Sequence, residues 1–431
     1  MPRSMRTWKI ACASRILTVS LAFLFGCMFR NHVPTTSTEQ LVCGREDTED
    51  GTNGMLQRIL EGFAQWDTQH FLYIAQCGYT HEQNHAFFPF LPGLLHLSIQ
   101  ITPASVHAWL GSQATAMLWG LVLCNSAFVG SAVFFYRLTK HVLANEQLVR
   151  CATLLYCFNP ASIFCSAVYT ESLYALFFFA GLFQLYVKDR WWLAAILFFH
   201  CTAIRSNGIL CAGYFWYTVL IEVQPTQRSL STRILSGATR VIACTMACFL
   251  PFLAFEAFGY HQQCVGVDPL PNWCASRIPL LYGYVQKTYW ENGLLAFWQL
   301  KQIPNFILAG PILFFSFYIS WRCISKRWRH FWRALLSFRN HEMTVKGWSA
   351  TGLYGRISFC MTVHLAFLSG FCLLFMNVQV ATRFLAASPP LYWFAAHMSQ
   401  QSCRIRKIIW GYLYTYIALG SLLFTNAYPW T

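Results

Sequence analysis

The chain has 431 residues, of which 56% are hydrophobic and 17% aromatic, whereas only 11% are charged. Soluble domains usually have about 25% charged residues, so a chain this apolar could not cover its own surface in water. The composition excludes an ordinary soluble protein and predicts an all-α integral membrane protein. A net charge of +15 would suggest nucleic-acid binding only if the basic residues shared one soluble surface.

Apolar runs along the chain predict where it crosses the membrane, since a transmembrane helix needs about 20 mostly apolar residues. In chain order the runs are 10–29, 113–136, 151–168, 171–187, 191–204, 207–223, 241–258, 303–320, 357–376, 384–399 and 408–425. They predict about 11 transmembrane helices in one polytopic domain covering residues 1–431. Arg15 interrupts the first run near its N-terminal end, where we expect its long side chain to reach water.

The distribution of Lys and Arg predicts the orientation of these helices. With a cytosolic N-terminus, 22 of the 31 Lys and Arg residues but only 4 of the 16 Asp and Glu residues fall in cytosolic segments. The positive-inside rule predicts this bias. It accounts for the basic excess without nucleic acid. Residues 30–112 and 259–302 then form the large lumenal loops, and residues 321–356 form a basic cytosolic loop.

Polar and ionisable residues gather on the predicted lumenal side. They include Glu61, Asp67, His70, His81, Glu82, His85, Glu171, Arg205, Asn207, Asp268, Arg277, Lys287, Glu291, Lys301, Gln379 and Arg383. Because ionisable groups at membrane depth are costly, they tend to mark functional sites. The set predicts a lumenal site assembled from several loop ends, although any single member could instead extend from a helix end to water.

The stretch His81-Glu82-Gln83-Asn84-His85 matches H-E-x-x-H, the zinc-protease motif, which needs an α-helix to place both histidines on one face. Gly78 precedes it closely, and Pro89 and Pro92 follow. We therefore expect no stable α-helix here and no metal site.

Most of the 18 cysteines lie inside apolar runs, where a free Cys behaves as a small hydrophobic residue. Cys43, Cys77, Cys264 and Cys274 lie in the predicted lumenal loops instead. Cys264 and Cys274 could pair, but the sequence leaves this open.

Asp67 is the most promising single residue of the first lumenal loop. It lies in Gln65-Trp66-Asp67-Thr68-Gln69-His70-Phe71, just before an apolar segment that could lie along the membrane surface. A carboxylate held at this interface can act as a general base toward a sugar hydroxyl. The other interpretations are a helix N-cap or a partner for an arginine.

An ordered set of motifs resembles the GPI mannosyltransferase 2 family. The pieces are W-D-T-Q-H-F-L-Y-I-A-Q-C-G-Y at 66–79, A-F-F-P-F-L-P at 86–92, N-P-A-S-I-F-C-S-A-V-Y-T-E-S-L-Y-A at 159–175, R-S-N-G at 205–208, Y-W-E-N-G at 289–293, K-Q-I-P-N-F at 301–306 and N-V-Q-V-A-T-R-F at 377–384. The resemblance implies a GT-C type glycosyltransferase with catalytic lumenal loops in the endoplasmic reticulum membrane. It would transfer the second mannose, in α-1,6 linkage, from dolichyl-phosphate mannose to the mono-mannosylated GPI-anchor precursor.

The resemblance also implies roles for individual residues. The mechanism would be an inverting single displacement, and Asp67 matches the family's acidic residue in the first lumenal loop, with Glu82 and Glu171 as alternative bases. Arg205, Arg383 and Lys301 are the expected ligands of the donor phosphate. The expected substrate-binding residues are Trp66, His70, Glu82, Glu171, Asn207, Tyr289, Trp290 and Gln379.

We expect no metal or other cofactor, because arginines can hold the departing phosphate and the sequence has no D-x-D pair. The expected partners are the two lipid-linked substrates and the membrane of the endoplasmic reticulum, and a small membrane subunit is left open.

Two other functions stay open. One is another lumenal GT-C enzyme that uses a dolichyl-phosphate sugar with a different acceptor. The other is a membrane transporter without catalysis, which should have pseudo-symmetric halves with broken helices at mid-membrane. No such duplication is evident in the sequence, and the polar residues gather at one face.

Overall fold

The computed structural model describes residues 6–29, 60–222, 230–336 and 348–430. Part of the first predicted lumenal loop, 30–59 with Cys43, and part of the basic cytosolic loop, 337–347, lie outside the described residues. The α-helices are α1 (Thr7–Met28), α2 (Asp67–Cys77), α3 (Phe90–Ile101), α4 (Ala104–Leu143), α5 (Glu146–Cys157), α6 (Ser162–Ser166), α7 (Glu171–Tyr186), α8 (Trp191–Ile204), α9 (Ala212–Tyr217), α10 (Leu230–Cys264), α11 (Leu281–Thr288), α12 (Ile303–Leu336), α13 (Arg356–Phe375), α14 (Ala381–Phe384), α15 (Pro389–Gln401) and α16 (Cys403–Thr425). No β-strand occurs in the described ranges, which confirms the all-helical prediction.

Within the described residues, six helices are long and apolar enough to cross a membrane, by length and composition. They are Thr7–Met28, Ala104–Leu143, Gly237–Cys264, Leu300–Arg333, Arg356–Phe375 and Cys403–Thr425. The helix Ala104–Leu143 is kinked at Gly111, whose φ of 76° is not helical. This kink lies at the predicted boundary between the first lumenal loop and the second apolar run. The predicted count of about 11 spans is not confirmed.

Prolines and turns explain why several apolar runs give short helices. The apolar run 151–168 is interrupted at Asn159-Pro160, between α5 and α6. In the apolar run 384–399, helix α15 begins only at Pro389. Proline has no N–H to donate within a helix, so it favours a helix start or a break, although Pro251 and Pro311 lie within the long helices α10 and α12. Helices α7 and α8 have 16 and 14 residues, about 24 and 21 Å, less than the membrane's hydrocarbon core of about 30 Å.

The short helix α7 lies inside the bundle, where it packs against α4 and α8. At Gly181 of α7 an added Cβ would come within 2.4 Å of the ring of Phe198 on α8. At Gly120 of α4 it would come within 2.6 Å of Val168, just before α7. Small residues therefore allow the close approach of these helices, as is common in membrane proteins.

Arg15 of α1 does not reach water, so the expectation for this residue was wrong. It is 3% exposed. Its guanidinium donates to the carbonyl oxygens of Ser162 (2.8 Å) and Cys157 (3.2 Å) and to the hydroxyls of Ser166 (3.0 Å) and Ser162 (3.1 Å). It also lies 3.8 Å from the ring centroid of Phe128. The break between α5 and α6 leaves carbonyls without helical partners, and Arg15 supplies the missing donors inside the protein.

The H-E-x-x-H stretch forms a short 3-10 helix, Glu82–Ala86, rather than an α-helix, as expected from the flanking residues. His81 is exposed, whereas His85 is buried and stacks on Phe255. No group of three His, Cys, Asp or Glu residues positioned to hold a metal ion occurs in the described part of the chain.

Cys264 and Cys274 form a disulfide that ties the end of α10 to the following loop. Both cysteines belong to a small apolar cluster with Trp273, Leu281 and Val285. Cys77 at the end of α2 is also disulfide-bonded. The loop of 259–302 is thus held by its own covalent link and its own small core.

Candidate active site

Asp67 is the first residue of α2, and the residue before it has an unusual backbone conformation. Trp66 has φ 58° and ψ −127°, a positive φ that a bulky residue rarely adopts. Such strained residues cluster at functional sites. The turn directs the backbone N–H of Asp67 to the hydroxyl of Tyr169, at 3.1 Å. The first family motif is thereby joined to the third, which contains Tyr169.

Four charged side chains from four separate segments meet beside Tyr169. Nη1 of Arg383 lies 2.5 Å from Oδ2 of Asp67 and 3.9 Å from Oε1 of Glu171. Nη2 of Arg205 lies 2.6 Å from the same Glu171 oxygen. The two carboxylates and two guanidinium groups balance in formal charge.

These four groups differ in burial. The side chain of Glu171 is 2% exposed, and those of Arg383, Arg205 and Asp67 are 15%, 17% and 26% exposed. Ion pairs strengthen as water is excluded, but only if each charge has a partner. Burial alone would lower the pKa of Arg383, but the carboxylates of Asp67 and Glu171 outweigh it and raise that pKa. Arg383 therefore stays charged.

A tight turn after α8 positions Arg205. Helix α8 ends at Ile204, and residues Ser206–Cys211 form a 3-10 helix that folds back on it. At Gly208 an added Cβ would lie 2.3 Å from the backbone nitrogen of Thr202. A glycine is required for this close approach, which explains why the R-S-N-G motif ends on one.

Next to the charged groups is a cavity of about 150 Å³. It is lined by Asp67, Phe71, Ala86, Phe87, Phe88, Thr170, Ile204, Arg205, Ser206, Asn207, Tyr282, Gln286, Trp290, Asn292, Met376, Asn377, Val380, Arg383 and Phe384. One water molecule needs about 10–15 Å³ of such space. The cavity is thus on the scale of a monosaccharide rather than of a whole glycolipid.

Five of the predicted site residues line this cavity: Asp67, Arg205, Asn207, Trp290 and Arg383. They come from segments as far apart as the two ends of the family motif set. The structure therefore brings these five residues from distant segments to one cavity.

Glu171 does not line the cavity. Its carboxylate lies behind the two arginines and contacts both of them. Its position fits a group that holds the arginines in place.

Glu82 does not line the cavity either; it joins the segment between α2 and α3 to the loop of 259–302. Its carboxylate accepts hydrogen bonds from the indole of Trp273 (2.9 Å) and the hydroxyl of Tyr289 (3.1 Å). Burial, with the nearby carboxylate, raises the pKa of Tyr289 to about 12. Tyr289 thus stays protonated and can donate to Glu82 at neutral pH.

His70 lies against the cavity wall. It stacks on Phe87 with ring centroids 4.6 Å apart, and its centroid is 6.1 Å from that of Trp290. Burial lowers the pKa of His70, although the charge of Asp67 acts in the opposite direction. His70 is therefore neutral at pH 7 and supports the aromatic side of the cavity.

Three further predicted residues lie outside the cavity lining. Trp66 is next to Asp67 and partly exposed, and Lys301 is exposed in the turn before α12. Gln379 lies in the 3-10 turn before α14. Their proposed contacts with substrate stay predictions.

The loop after α11 completes the cavity by capping α13. The N–H groups of Gly293 and Leu295 donate to the carbonyls of Phe375 (3.1 Å) and Leu374 (2.6 Å). These are terminal carbonyls of a helix, which have no partner within it. The side chain of Asn292 accepts from the backbone N–H of Asn377, at 3.3 Å. The cap places Trp290 and Asn292 opposite α14.

Sequence reasoning missed several cavity residues. Ser206 and Tyr282 share a hydrogen bond of 2.8 Å, and the amide of Asn292 donates to Gln286 at 2.6 Å. Ser206, Asn292 and Asn377 lie inside the family motifs, so motif membership was a usable signal. Tyr282 and Gln286 lie in no motif, and only the position of α11 brings them to the cavity.

The fold and the cavity define a class: an all-helical protein with several apolar helices of spanning length and a cavity between helix ends that is lined by one carboxylate and two arginines. These charged groups suit an enzyme acting on a charged, lipid-linked group. The family described as Mannosyltransferase (PIG-V) matches residues 6–431, and the chain belongs to this family.

Relatives cover almost the whole chain. GPI alpha-1,6-mannosyltransferase 2 of Rattus norvegicus is 28% identical over 100% of this chain and 99% of its own length. The protein of that name from Mus musculus is 31% identical over 93% of this chain and 85% of its own. GPI mannosyltransferase 2 of Schizosaccharomyces pombe is 28% identical over 90% of this chain and 77% of its own. No solved structure matches the chain.

Proposed function

We propose that this protein transfers the second mannose, in α-1,6 linkage, from dolichyl-phosphate mannose to the mono-mannosylated GPI-anchor precursor. Family membership and the names of its relatives, GPI alpha-1,6-mannosyltransferase 2, support the reaction. One observation carries the assignment of the site. A carboxylate, Asp67, and two guanidinium groups, Arg205 and Arg383, line the same cavity.

Asp67 acts as the general base. Its carboxylate takes the proton of the acceptor hydroxyl while that oxygen forms a bond to the anomeric carbon of mannose. The bond from the anomeric carbon to the phosphate oxygen breaks, and dolichyl phosphate leaves with the electron pair. This single displacement inverts the anomeric carbon, by analogy with inverting glycosidases. Of the three candidate bases, Asp67 is the one that lines the cavity.

The arginines stabilise the departing phosphate. Guanidinium groups can bind phosphate oxygens through two parallel hydrogen bonds, and both arginines line the cavity. Glu171 keeps them oriented from behind. Since the arginines can bring positive charge to the departing phosphate, we propose no metal or other cofactor. Lys301 is exposed and lies outside the cavity lining, and its contact with the donor phosphate stays a prediction.

Binding of the donor also changes the basicity of Asp67, because Asp67 forms an ion pair with Arg383. Without substrate, Arg383 binds the carboxylate that must accept the proton. A phosphate in the cavity offers Arg383 a competing anion. As Arg383 turns to the phosphate, Asp67 is released from its cation and becomes a stronger base.

The site faces the lumen of the endoplasmic reticulum, with the N-terminus in the cytosol. The Lys and Arg bias supports this orientation. So does the disulfide between Cys264 and Cys274, because disulfides persist in oxidising compartments. The substrates are both lipid-linked, so donor and acceptor enter from the membrane. The fold is proposed to be of the GT-C type.

The test is mannose transfer in membranes from cells that lack the endogenous enzyme. Membranes receive dolichyl-phosphate mannose and either the unmannosylated or the mono-mannosylated GPI precursor. Because another enzyme of these membranes must add the first mannose, we expect a second mannose to be added to the mono-mannosylated acceptor only in membranes that contain this protein. Asp67→Asn should insert normally but transfer at least about 100-fold more slowly, the usual contribution of a general base.

The matched control is Glu82→Gln, which also removes one carboxylate near the cavity. It should keep most of the transfer rate, because Glu82 contacts Trp273 and Tyr289 rather than the cavity. Full activity of Asp67→Asn would disprove the role of Asp67. Transfer to a different acceptor would disprove the proposed reaction itself.

A further inference from the structure

Helix α12 is longer than a membrane crossing requires. It runs over Ile303–Leu336, 34 residues, which is about 51 Å at 1.5 Å per residue. The hydrocarbon core is about 30 Å thick. The C-terminal part, from Trp321 onward, therefore extends into the headgroup layer on the side opposite to the cavity loops.

Four basic residues form one stripe along this extension: Arg322, Lys326, Arg329 and Arg333. Their spacing of four, three and four residues places them on one face of a helix. All four are exposed. The helix contains no Asp or Glu, and none of the four has an ion pair within the described ranges of the chain. The stripe therefore presents unneutralised positive charge.

Three tryptophans form a second stripe beside the first. Trp321, Trp328 and Trp332 are 74%, 50% and 38% exposed. Their spacing of seven and four residues again keeps them on one face, about a quarter turn from the basic stripe. Tryptophan is enriched where a membrane meets water, because its ring is apolar and its N–H is polar.

The remaining face of the helix is buried and fixes its orientation. Cys323 is fully buried, and the ring of Phe331 stacks on Phe359 of α13 with centroids 5.4 Å apart. Lys326, at the edge of the basic stripe, has its ammonium group 4.3 Å from the ring centroid of Tyr354, so this one cation also contacts the protein. With the buried face packed on the protein, the three arginines and the three tryptophans point away from it.

We propose that the basic–tryptophan surface, formed by Trp321, Arg322, Lys326, Trp328, Arg329, Trp332 and Arg333, binds the headgroups of anionic phospholipids. The basic stripe supplies cations for their phosphates, and the tryptophans hold the helix at headgroup depth. Basic clusters that immediately follow a membrane span attract anionic lipids in the cytosolic leaflet. An acidic protein would also match the charge, but the exposed tryptophans favour a lipid interface. This proposal does not depend on the mannosyl transfer.

The test uses the full-length protein reconstituted in phosphatidylcholine vesicles that contain spin-labelled phosphatidylserine or spin-labelled phosphatidylcholine. Electron spin resonance measures the fraction of each lipid held by the protein. Each basic residue near an anionic surface is worth about fivefold in association at low salt. We expect the protein to prefer phosphatidylserine at least about fivefold, and R322Q/K326Q/R329Q/R333Q to show little preference.

The matched control is R404Q/R406Q/K407Q at the start of α16, which removes three exposed cations that have no tryptophan stripe beside them. It should keep most of the preference. R322K/R329K/R333K keeps the charge and should keep the preference as well. If the fourfold variant does not fold, R322Q/K326Q and R329Q/R333Q should each lose part of the preference.

Three outcomes overturn the proposal. The fourfold variant could retain the full preference, or the control could lose as much as the fourfold variant, which would show that any cytosolic charge suffices. The third outcome is that the protein shows no lipid preference while the fourfold variant loses a co-purifying acidic protein. In that case the surface binds protein rather than lipid.

Discussion

The substitution Glu171→Gln separates a group that positions the arginines from a catalytic base. Glu171 is buried behind the cavity, with one oxygen 2.6 Å from Arg205 and 3.9 Å from Arg383. The substituted side chain has nearly the same shape, so packing is preserved while the negative charge is removed. Arg383 still has Asp67 as a partner, whereas Arg205 loses its carboxylate.

The magnitude follows from the burial of the pair. Breaking a fully buried ion pair costs about 3–5 kcal/mol, and breaking an exposed one costs about 0–1 kcal/mol. The carboxylate of Glu171 is 2% exposed and Arg205 is 17% exposed, and the substituted amide oxygen can still accept a hydrogen bond. We expect a loss of about 2 kcal/mol in the free energy of unfolding.

The kinetic effect should fall on donor binding. If Arg205 moves away from the position that binds the donor phosphate, the same energy corresponds to an increase of up to about 30-fold in the KM for the donor. The kcat should fall by less than about tenfold, because Asp67 remains. The assay measures mannose transfer in detergent at varied dolichyl-phosphate mannose, together with the thermal unfolding temperature.

Glu82→Gln is the control for this experiment as well. It removes a carboxylate that binds Trp273 and Tyr289, so it should lower stability without changing the KM for the donor. The reasoning is refuted if Glu171→Gln lowers kcat at least about 100-fold while the KM for the donor and the unfolding temperature stay unchanged. Glu171 would then be the base.

Three other substitutions test the framework of the site. Gly208→Ala should reduce the yield of folded protein in size-exclusion chromatography, because the added Cβ would lie 2.3 Å from the backbone nitrogen of Thr202; a normal yield would contradict the close approach. Cys274→Ser removes a disulfide with a sequence separation of 10, which stabilises the fold by about 3 kcal/mol through loop entropy. Limited proteolysis within residues 259–302 should therefore be faster in this variant, and an unchanged cleavage rate would contradict the stabilising role of the disulfide. Burial lowers the pKa of the His70 imidazole below its usual 6.5. As the pH falls below 6.5, His70 therefore binds a proton in the unfolded chain before it does so in the folded protein, and the free energy of unfolding decreases. Between pH 7 and pH 5, the thermal unfolding temperature of His70→Phe should therefore fall less than that of the wild type. Equal decreases in the two proteins would disprove this.

The sequence alone predicted the class of fold and the family. Apolar composition determines that a chain must bury its backbone hydrogen bonds in helices within a membrane, and this holds regardless of how the helices pack. The ordered motifs identified the family because a motif depends only on the order of residues along the chain, which does not change with how the helices pack. Both predictions agree with the structure and the comparisons.

Helix lengths were harder to predict from the sequence. Apolar runs at 151–168 and 384–399 predicted spans, but Asn159-Pro160 and Pro389 break them into shorter helices. Arg15 shows the same limit. An isolated arginine in a span is expected to extend to water, whereas the broken helix between α5 and α6 offers it carbonyls and hydroxyls inside the protein.

Only the tertiary structure decided which polar residues share a site. Asp67 and Arg383 are 316 residues apart, and no local pattern predicts their contact. Tyr289 and Trp290 are neighbours in sequence, yet Trp290 lines the cavity and Tyr289 binds Glu82. The physical reason is that the sequence determines which chemical groups the chain carries, whereas the packing of its helices determines where each side chain points.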